Sequence, residues 1–256
     1  MRCLLTAVFL LLAGAVVAEP FRVATFNVSL SRRGPGVLLA DIQGGKDRQV
    51  IAVARIIQTV RPDILLLNEL DHDYENRALK AFLKLLAQDS EGYRGIVYPY
   101  FFAPPQNTGV PSGLDLNGDG RLGGPADAFG YGRFRGQYAM ALVSRFPIDR
   151  DHVRNFTDLL WKDVSPDLLP FDAKGRAFPS EQAHKLARLS SKGHWDVPVI
   201  LPSKRVLHVL ASHPTPPVFD GPEDYNGKRN AAEIGFWFDY IVKQASQMPI
   251  SWCLAI

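Results

Sequence analysis

Residues 205–230 read RVLHVLASHPTPPVFDGPEDYNGKRN. The run Val206 to Ala211 has the length and apolar character of a buried strand. It delivers Ser212 and His213 to the point where Pro214, Pro216 and Pro217 forbid further ladder pairing. A histidine at a strand exit, followed by a stiff loop and the basic pair Lys228 and Arg229, is an arrangement suited to handling an anion. The same composition also fits a proline-rich surface loop with an incidental histidine. The other strand exits of the chain decide between the two.

Working outward, Lys204–Ala211 pairs naturally with Asp196–Leu201 as a hairpin across Pro202 and Ser203. Lys228 to Gln247 has a helical period, with Ile234, Trp237, Phe238 and Ile241 as its apolar stripe. Pro249 to Ile256 reads as the beginning of one more strand. Upstream, Phe21–Ser29 is a strand carrying Asn27 near its exit, and Asp63–Asn68 (DILLLN) is a buried strand that ends in Glu69. Between them, Asp47–Thr59 is an amphipathic helix stopped by Arg61 and Pro62. Arg77–Gln88 is a second such helix. Gly95–Phe102 and Gln137–Ser144 read as strands, residues 103–136 as a loop dense in Gly, Pro and Asp, and residues 149–195 as mostly irregular. Strands alternating with helices, plus a hairpin, predict a layered α/β domain with mixed sheets.

Asn27, Glu69 and His213 thus sit at three strand exits, which in an α/β domain converge on the rim where ligands bind. An amide, a carboxylate and an imidazole on one rim suit a hard divalent cation beside a phosphate. The carboxylate binds the ion through oxygen while the ion keeps several waters, the amide orients the carboxylate or a water, and the imidazole hydrogen-bonds a phosphate oxygen as charge builds up. Each residue also has a plain reading: Asn27 as a turn former, Glu69 as a solvated strand end, His213 as a structural histidine.

The set resembles the endonuclease/exonuclease/phosphatase superfamily, through TFNVS (25–29), RPDILLLNEL (61–70), GQYAMALVSRFPI (136–148) and VLASHPTPPVFDGPEDYNGKRNAAEIGFW (209–237). The last piece resembles a secreted bacterial branch. The resemblance implies a four-layer α/β/β/α sandwich of the deoxyribonuclease-like type and a Mg²⁺- or Mn²⁺-dependent phosphoesterase. By it, Asn27 and Glu69 serve the metal site, Asn27 and His213 act catalytically with His213 contacting the scissile phosphate, and Arg229 is a candidate phosphate ligand, with a helix-start surface charge as its alternative. The superfamily pattern continues into a Gly-Asp-x-Asn motif and a later Ser-Asp-His motif that supplies the water-activating base. Here no Asp follows Asp239 and no His follows His213. The expectation is therefore a sandwich with an incomplete second half, from a truncated or frameshifted reading frame, and catalysis deprived of groups each worth orders of magnitude.

Residues 115–122 (DLNGDGRL) follow the opening of a calcium loop, with Asp115, Asn117 and Asp119 as alternating oxygen ligands and Asp127 as the nearest closing carboxylate. A turn-rich loop using Asp and Gly for their backbone freedom is the alternative. GYGRFRGQ (130–137) is either a substrate-facing flap or a flexible connection.

The bulk properties set outer bounds. Of 256 residues, 46% are hydrophobic and 21% charged, an ordinary globular composition. Residues 1–18, with Arg2 ahead of the apolar run Leu4–Val17 and small residues before Ala18–Glu19, read as a secretory signal peptide, the alternative being an uncleaved anchor. That predicts a secreted or periplasmic protein whose single domain is 19–256. Removing Arg2 lowers the formal charge from +3 to +2, which does not call for nucleic acid over phospholipid or a small phosphoester. Cys3 leaves with the signal, so Cys253 has no intrachain disulfide partner. The competing functional reading is a non-catalytic exported module, stabilised by Ca²⁺, that binds a polyanionic ligand.

Overall fold

The computed structural model describes residues 20–245 and 252–255. The signal-peptide reading of 1–18 and the end of the last helix near Gln247 lie outside these residues. The strands are β1 (Val23–Leu30), β2 (Ile64–Leu70), β3 (Tyr100–Phe102), β4 (Met140–Ser144), β5 (Arg154–Asn155), β6 (His194–Ile200), β7 (Val206–Ser212) and β8 (Trp252–Ala255). The helices are α1 (Val37–Gly44), α2 (Arg48–Val60), α3 (Arg77–Leu86), α4 (Trp161–Val164), α5 (Glu181–Leu186) and α6 (Tyr225–Ala245).

Two mixed sheets form, ordered β1-β2-β4-β3 and β5-β6-β7-β8. The continuous apolar run of β2 is explained by burial on both of its faces. Leu65 and Leu67 point into a cluster with Val50, Val53 and Ile57 of α2 and Leu79 and Phe82 of α3. Ile64 and Leu66 point the other way, into a cluster with Met140 and Leu142 of β4 and Trp195, Val197 and Val209 of the second sheet. Alternate residues of one strand therefore serve two cores. Trp195, fully buried, meets Phe102 edge-on at 5.3 Å and ties the sheets together. A third cluster, built on Leu210, Ala232, Phe236 and Trp237 with Trp161, seats α6 on the outer face of the second sheet. Helices, sheet, sheet and helices thus follow one another as the four layers expected from the sequence. No described helix is long and apolar enough to cross a membrane.

Three sequence expectations need correction. Only Tyr100–Phe102 of the expected strand 95–102 joins a ladder. Gly95 lies so close to Ala87 that a Cβ would fall 2.3 Å from its carbonyl oxygen, Ile96 N donates to Leu86 O, and the Tyr98 hydroxyl donates to Pro62 O. This segment therefore seals the end of α3 instead of pairing. Helix α6 begins at Tyr225, before the expected start, and its apolar stripe divides: Trp237 is buried, whereas Ile234, Phe238 and Ile241 are exposed. Helix α1, bounded by the left-handed glycines Gly36 and Gly45, was hidden by its brevity.

Candidate active site

Asn27 lies opposite Asn68 in the parallel β1–β2 ladder, but the register then slips, because Leu30 pairs with Leu70. One extra residue on β1 makes a bulge, a device that re-aims side chains. At this point both Ser29 (φ 49°) and Glu69 (φ 59°) take the left-handed conformation. For a residue with a Cβ that costs about 1–2 kcal/mol, and such strain clusters at functional positions. The Asn27 amide oxygen accepts from Ser29 N at 3.0 Å and so braces the bulge. Asn27 itself is exposed, on an edge strand.

Glu69 feels the charge of the Lys192 ammonium and accepts no hydrogen bond among the described residues. Its neighbour Asn68 is buried. The Asn68 amide nitrogen donates to Thr25 Oγ1 at 3.0 Å, and its amide oxygen is left without a partner. Beyond Glu69, Asp71 accepts from Arg32 N at 2.8 Å and from Tyr138 N at 3.3 Å. Burial pushes its carboxyl up to about 6, against the opposing pull of those N–H groups and the Arg32 charge.

From the second sheet, β7 delivers His213. Helix α6 fixes the loop on both sides of it: Trp237 Nε1 donates to Ser212 Oγ at 2.9 Å, Thr215 N donates to Glu233 Oε2 at 2.6 Å, and Asn230 Nδ2 donates to Thr215 O at 2.7 Å. The Nδ1 atom of His213 is buried without a partner. Burial, and then the nearby Lys192 ammonium, lower the imidazole pKa to about 3. Lys192 therefore interacts with both Glu69 of the first sheet and His213 of the second. Asn27 lies opposite Asn68, the residue before Glu69, in the β1–β2 ladder.

This depression carries a consequence for acid stability. His213 stays neutral in the fold, while the unfolded chain takes up the proton near its ordinary value of 6.5. The contribution is fully present above pH 6.5 and is lost as pH falls toward 3, by roughly 2 kcal/mol at pH 5. His194, buried and shifted in the same direction, adds to it. In urea melts between pH 7 and 5, His213→Gln is expected to lose less stability than the parent. Parallel curves would show that the imidazole is not kept neutral by the fold.

Two other sequence candidates have structural employment. Arg229 is buried, and its guanidinium donates to the carbonyls of Leu189 (3.0 Å), Phe129 (2.6 Å) and Arg188 (2.8 Å). It fastens three loop carbonyls to α6, which corrects its reading as a surface charge. In the 115–127 loop, Asp115 accepts from the backbone of Gly118, Asp119 and Gly120, and Asn117 Nδ2 reaches Asp119 at 3.2 Å. Asp127 is buried, with its two oxygens taking Leu116 N and Gly124 N. Its carboxylate staples the loop. Among the described residues no group of three His, Cys, Asp or Glu converges.

Sequence reasoning missed Lys192 and Glu233. Glu233 is fully buried and accepts from Ser191 N (2.6 Å), Ser191 Oγ (2.8 Å) and Thr215 N. Its signal was available: Arg229 and Glu233 are four apart on one helix face, the face that also carries Ala232, Phe236 and Trp237.

The donors at the rim fit a hard cation. A carboxylate free of hydrogen bonds at a strand exit suits an ion that takes few protein ligands and keeps its waters, as Mg²⁺ does.

Residues 24–238 match the model of the endonuclease/exonuclease/phosphatase family. No curated protein matches the sequence. Among solved structures the chain is similar to an endonuclease/exonuclease/phosphatase from Beutenbergia cavernae DSM 12333, at 17% identity and TM-score 0.43, covering 90% of this chain and 44% of that one. It is similar to truncated TDP2 of Caenorhabditis elegans at 17% identity and TM-score 0.41, covering 90% and 58%. A family protein from Leptotrichia buccalis C-1013-b gives 12% identity and TM-score 0.42, covering 92% and 66%. The chain thus spans less than two thirds of the length of each of these proteins.

Proposed function

Because this chain belongs to the endonuclease/exonuclease/phosphatase family, we propose that it is a phosphoesterase dependent on Mg²⁺ or Mn²⁺, of the phosphodiesterase or nuclease type. The observation that supports the reading is electrostatic: the Lys192 ammonium interacts with both Glu69 and His213, which come from different sheets. Glu69 is the residue that would hold the ion. When bound, the ion supplies Lewis-acid polarisation of a phosphoryl oxygen.

The remaining work falls to the chain itself. Asn27 braces the bulge that turns Glu69 to the rim. His213 is neutral at pH 7, so one ring nitrogen carries a hydrogen and the other a lone pair. Its N–H donates to a non-bridging phosphate oxygen and strengthens as negative charge gathers there. The loop held by Glu233, Asn230 and Trp237 keeps the imidazole oriented without rearrangement during the reaction. The substrate is a phosphoester, with nucleic acid, phospholipid and small phosphoesters all compatible with the modest charge of the chain.

The test is hydrolysis of bis(4-nitrophenyl) phosphate by the purified chain. Activity is expected with Mg²⁺ or Mn²⁺, to vanish with chelator and return on adding metal. His213→Ala is expected to lower kcat by about 10²–10³. Undiminished turnover in excess chelator, or in His213→Ala, would overturn the assignment.

A further inference from the structure

Lys192 lies in the segment Ser190–Gly193 that leads into β6, and it is only 8% exposed. The backbone around it is bolted down. Asn107 N donates to Lys192 O at 3.0 Å, Asn107 Nδ2 donates to Ser190 O at 2.7 Å, and Ser191 is held by Glu233 through both its N–H and its hydroxyl. Gly193 leaves no latitude, since a Cβ there would fall 2.7 Å from Trp195 Nε1. The ammonium group nevertheless donates no hydrogen bond among the described residues. Glu233, the carboxylate whose charge acts on it most strongly, already serves three other donors.

The side chain is buried, but its nitrogen is not among the fully enclosed polar atoms that lack a partner, so the ammonium opens to the surface, where a ligand can reach it. Its neighbours are the carboxylate of Glu69, which accepts no hydrogen bond among the described residues, and His213, whose Nδ1 is buried and also unpartnered. The strand pairing of His194 with Ser212, and Ser191 Oγ at 3.5 Å from His213 O, set the Lys192 segment beside His213, and the charge of Glu69 acts on the same ammonium. A tetrahedral oxyanion is the species whose several oxygens could answer an ammonium and an imidazole N–H together, while a cation on Glu69 takes another.

We propose that Lys192 is a phosphate-binding residue of this site, contacting a non-bridging oxygen of the phosphoryl group next to the one His213 serves. The proposal rests on the phosphoesterase reading above and deepens it by naming the group that neutralises the substrate's charge. An ammonium in this place discriminates for the phosphoryl centre itself and is indifferent to what the ester carries.

The test uses the full chain, inorganic phosphate as the binding probe, and bis(4-nitrophenyl) phosphate as substrate, with Lys192→Met (matched in length, uncharged) and Lys192→Arg. Calorimetric phosphate affinity is expected to fall about tenfold to a hundredfold in Lys192→Met. It should recover in part in Lys192→Arg. The melting temperature of Lys192→Met should equal or exceed that of the parent, because a charge desolvated by burial has gone. Unchanged phosphate affinity in Lys192→Met, with or without a lower melting temperature, overturns the proposal and leaves Lys192 a structural residue. So does a parent chain that does not bind phosphate. Turnover that persists unaltered in Lys192→Met removes Lys192 but spares the phosphoesterase reading. Lys192-dependent phosphate binding by a chain that hydrolyses nothing keeps Lys192 and removes that reading.

Discussion

Glu233→Ala is expected to destabilise the fold by about 3–5 kcal/mol, the range for breaking a buried charged network from one side. The side chain is fully buried and holds Ser191 N, Ser191 Oγ and Thr215 N, all at 2.8 Å or less. Alanine strands three donors where water cannot reach them, and each orphan costs about 1–3 kcal/mol. It also deletes the negative charge beside Lys192 and His194. Against a total stability of roughly 5–15 kcal/mol, this loss lowers the melting temperature by about 10 °C or more. Glu233→Gln separates shape from charge. Its amide oxygen can still serve Ser191, which makes both of its bonds to the single atom Oε1, but its amide nitrogen then faces the Thr215 N–H, donor against donor. Glutamine should therefore cost less than alanine and concentrate its effect on the loop after His213, seen as faster hydrogen exchange at Thr215. An alanine variant within 1 kcal/mol of the parent in urea melts would refute the clamp.

Why this clamp escaped the sequence is physical. A helical period is read from its apolar residues, and Ile234, Trp237, Phe238 and Ile241 do recur with the right spacing. Yet the face of α6 that meets the sheet carries Arg229 and Glu233 alongside Ala232, Phe236 and Trp237. An apolar pattern discards those charges, although their partners, most of them 40 or more residues away in sequence, make them the most buried polar groups on the helix. Lys192 was invisible for the same reason: a lysine in a Ser-Gly segment reads as a solvated turn until the fold places Glu69 and His213 beside it. What was legible was local. DILLLN and VLHVLA read as strands because both are apolar over strand length, and α2 read as a helix because Asp47 caps it and Pro62 follows its end. The strands that carry Asn27 and Glu69 and that lead to His213 were also legible, because each is largely apolar over strand length. The bulge that aims Glu69 was not, because it arises from the register between two strands and not from either strand alone.

That bulge sets up the second large effect. Glu69→Gly is expected to abolish turnover, by about 10³-fold or more, because the ligand that would hold the ion has gone and with it several kcal/mol of transition-state stabilisation. Stability should move the other way or stay level. Glu69 holds φ at 59°, and its carboxylate accepts no hydrogen bond among the described residues, so its removal strands no donor there. Glycine at that angle relieves about 1–2 kcal/mol of backbone strain, offset by about 0.5–1 kcal/mol of added unfolded-state entropy. Glu69→Ala loses the same carboxylate but keeps the strain, so the two inactive variants should differ by about 1 kcal/mol with glycine the more stable. The comparison isolates the backbone term, since neither side chain can bind an ion. If Glu69→Ala retained full activity, the metal-holding role would fall. If glycine melted below alanine, the strain at Glu69 would not be a cost that the fold carries for the sake of its site.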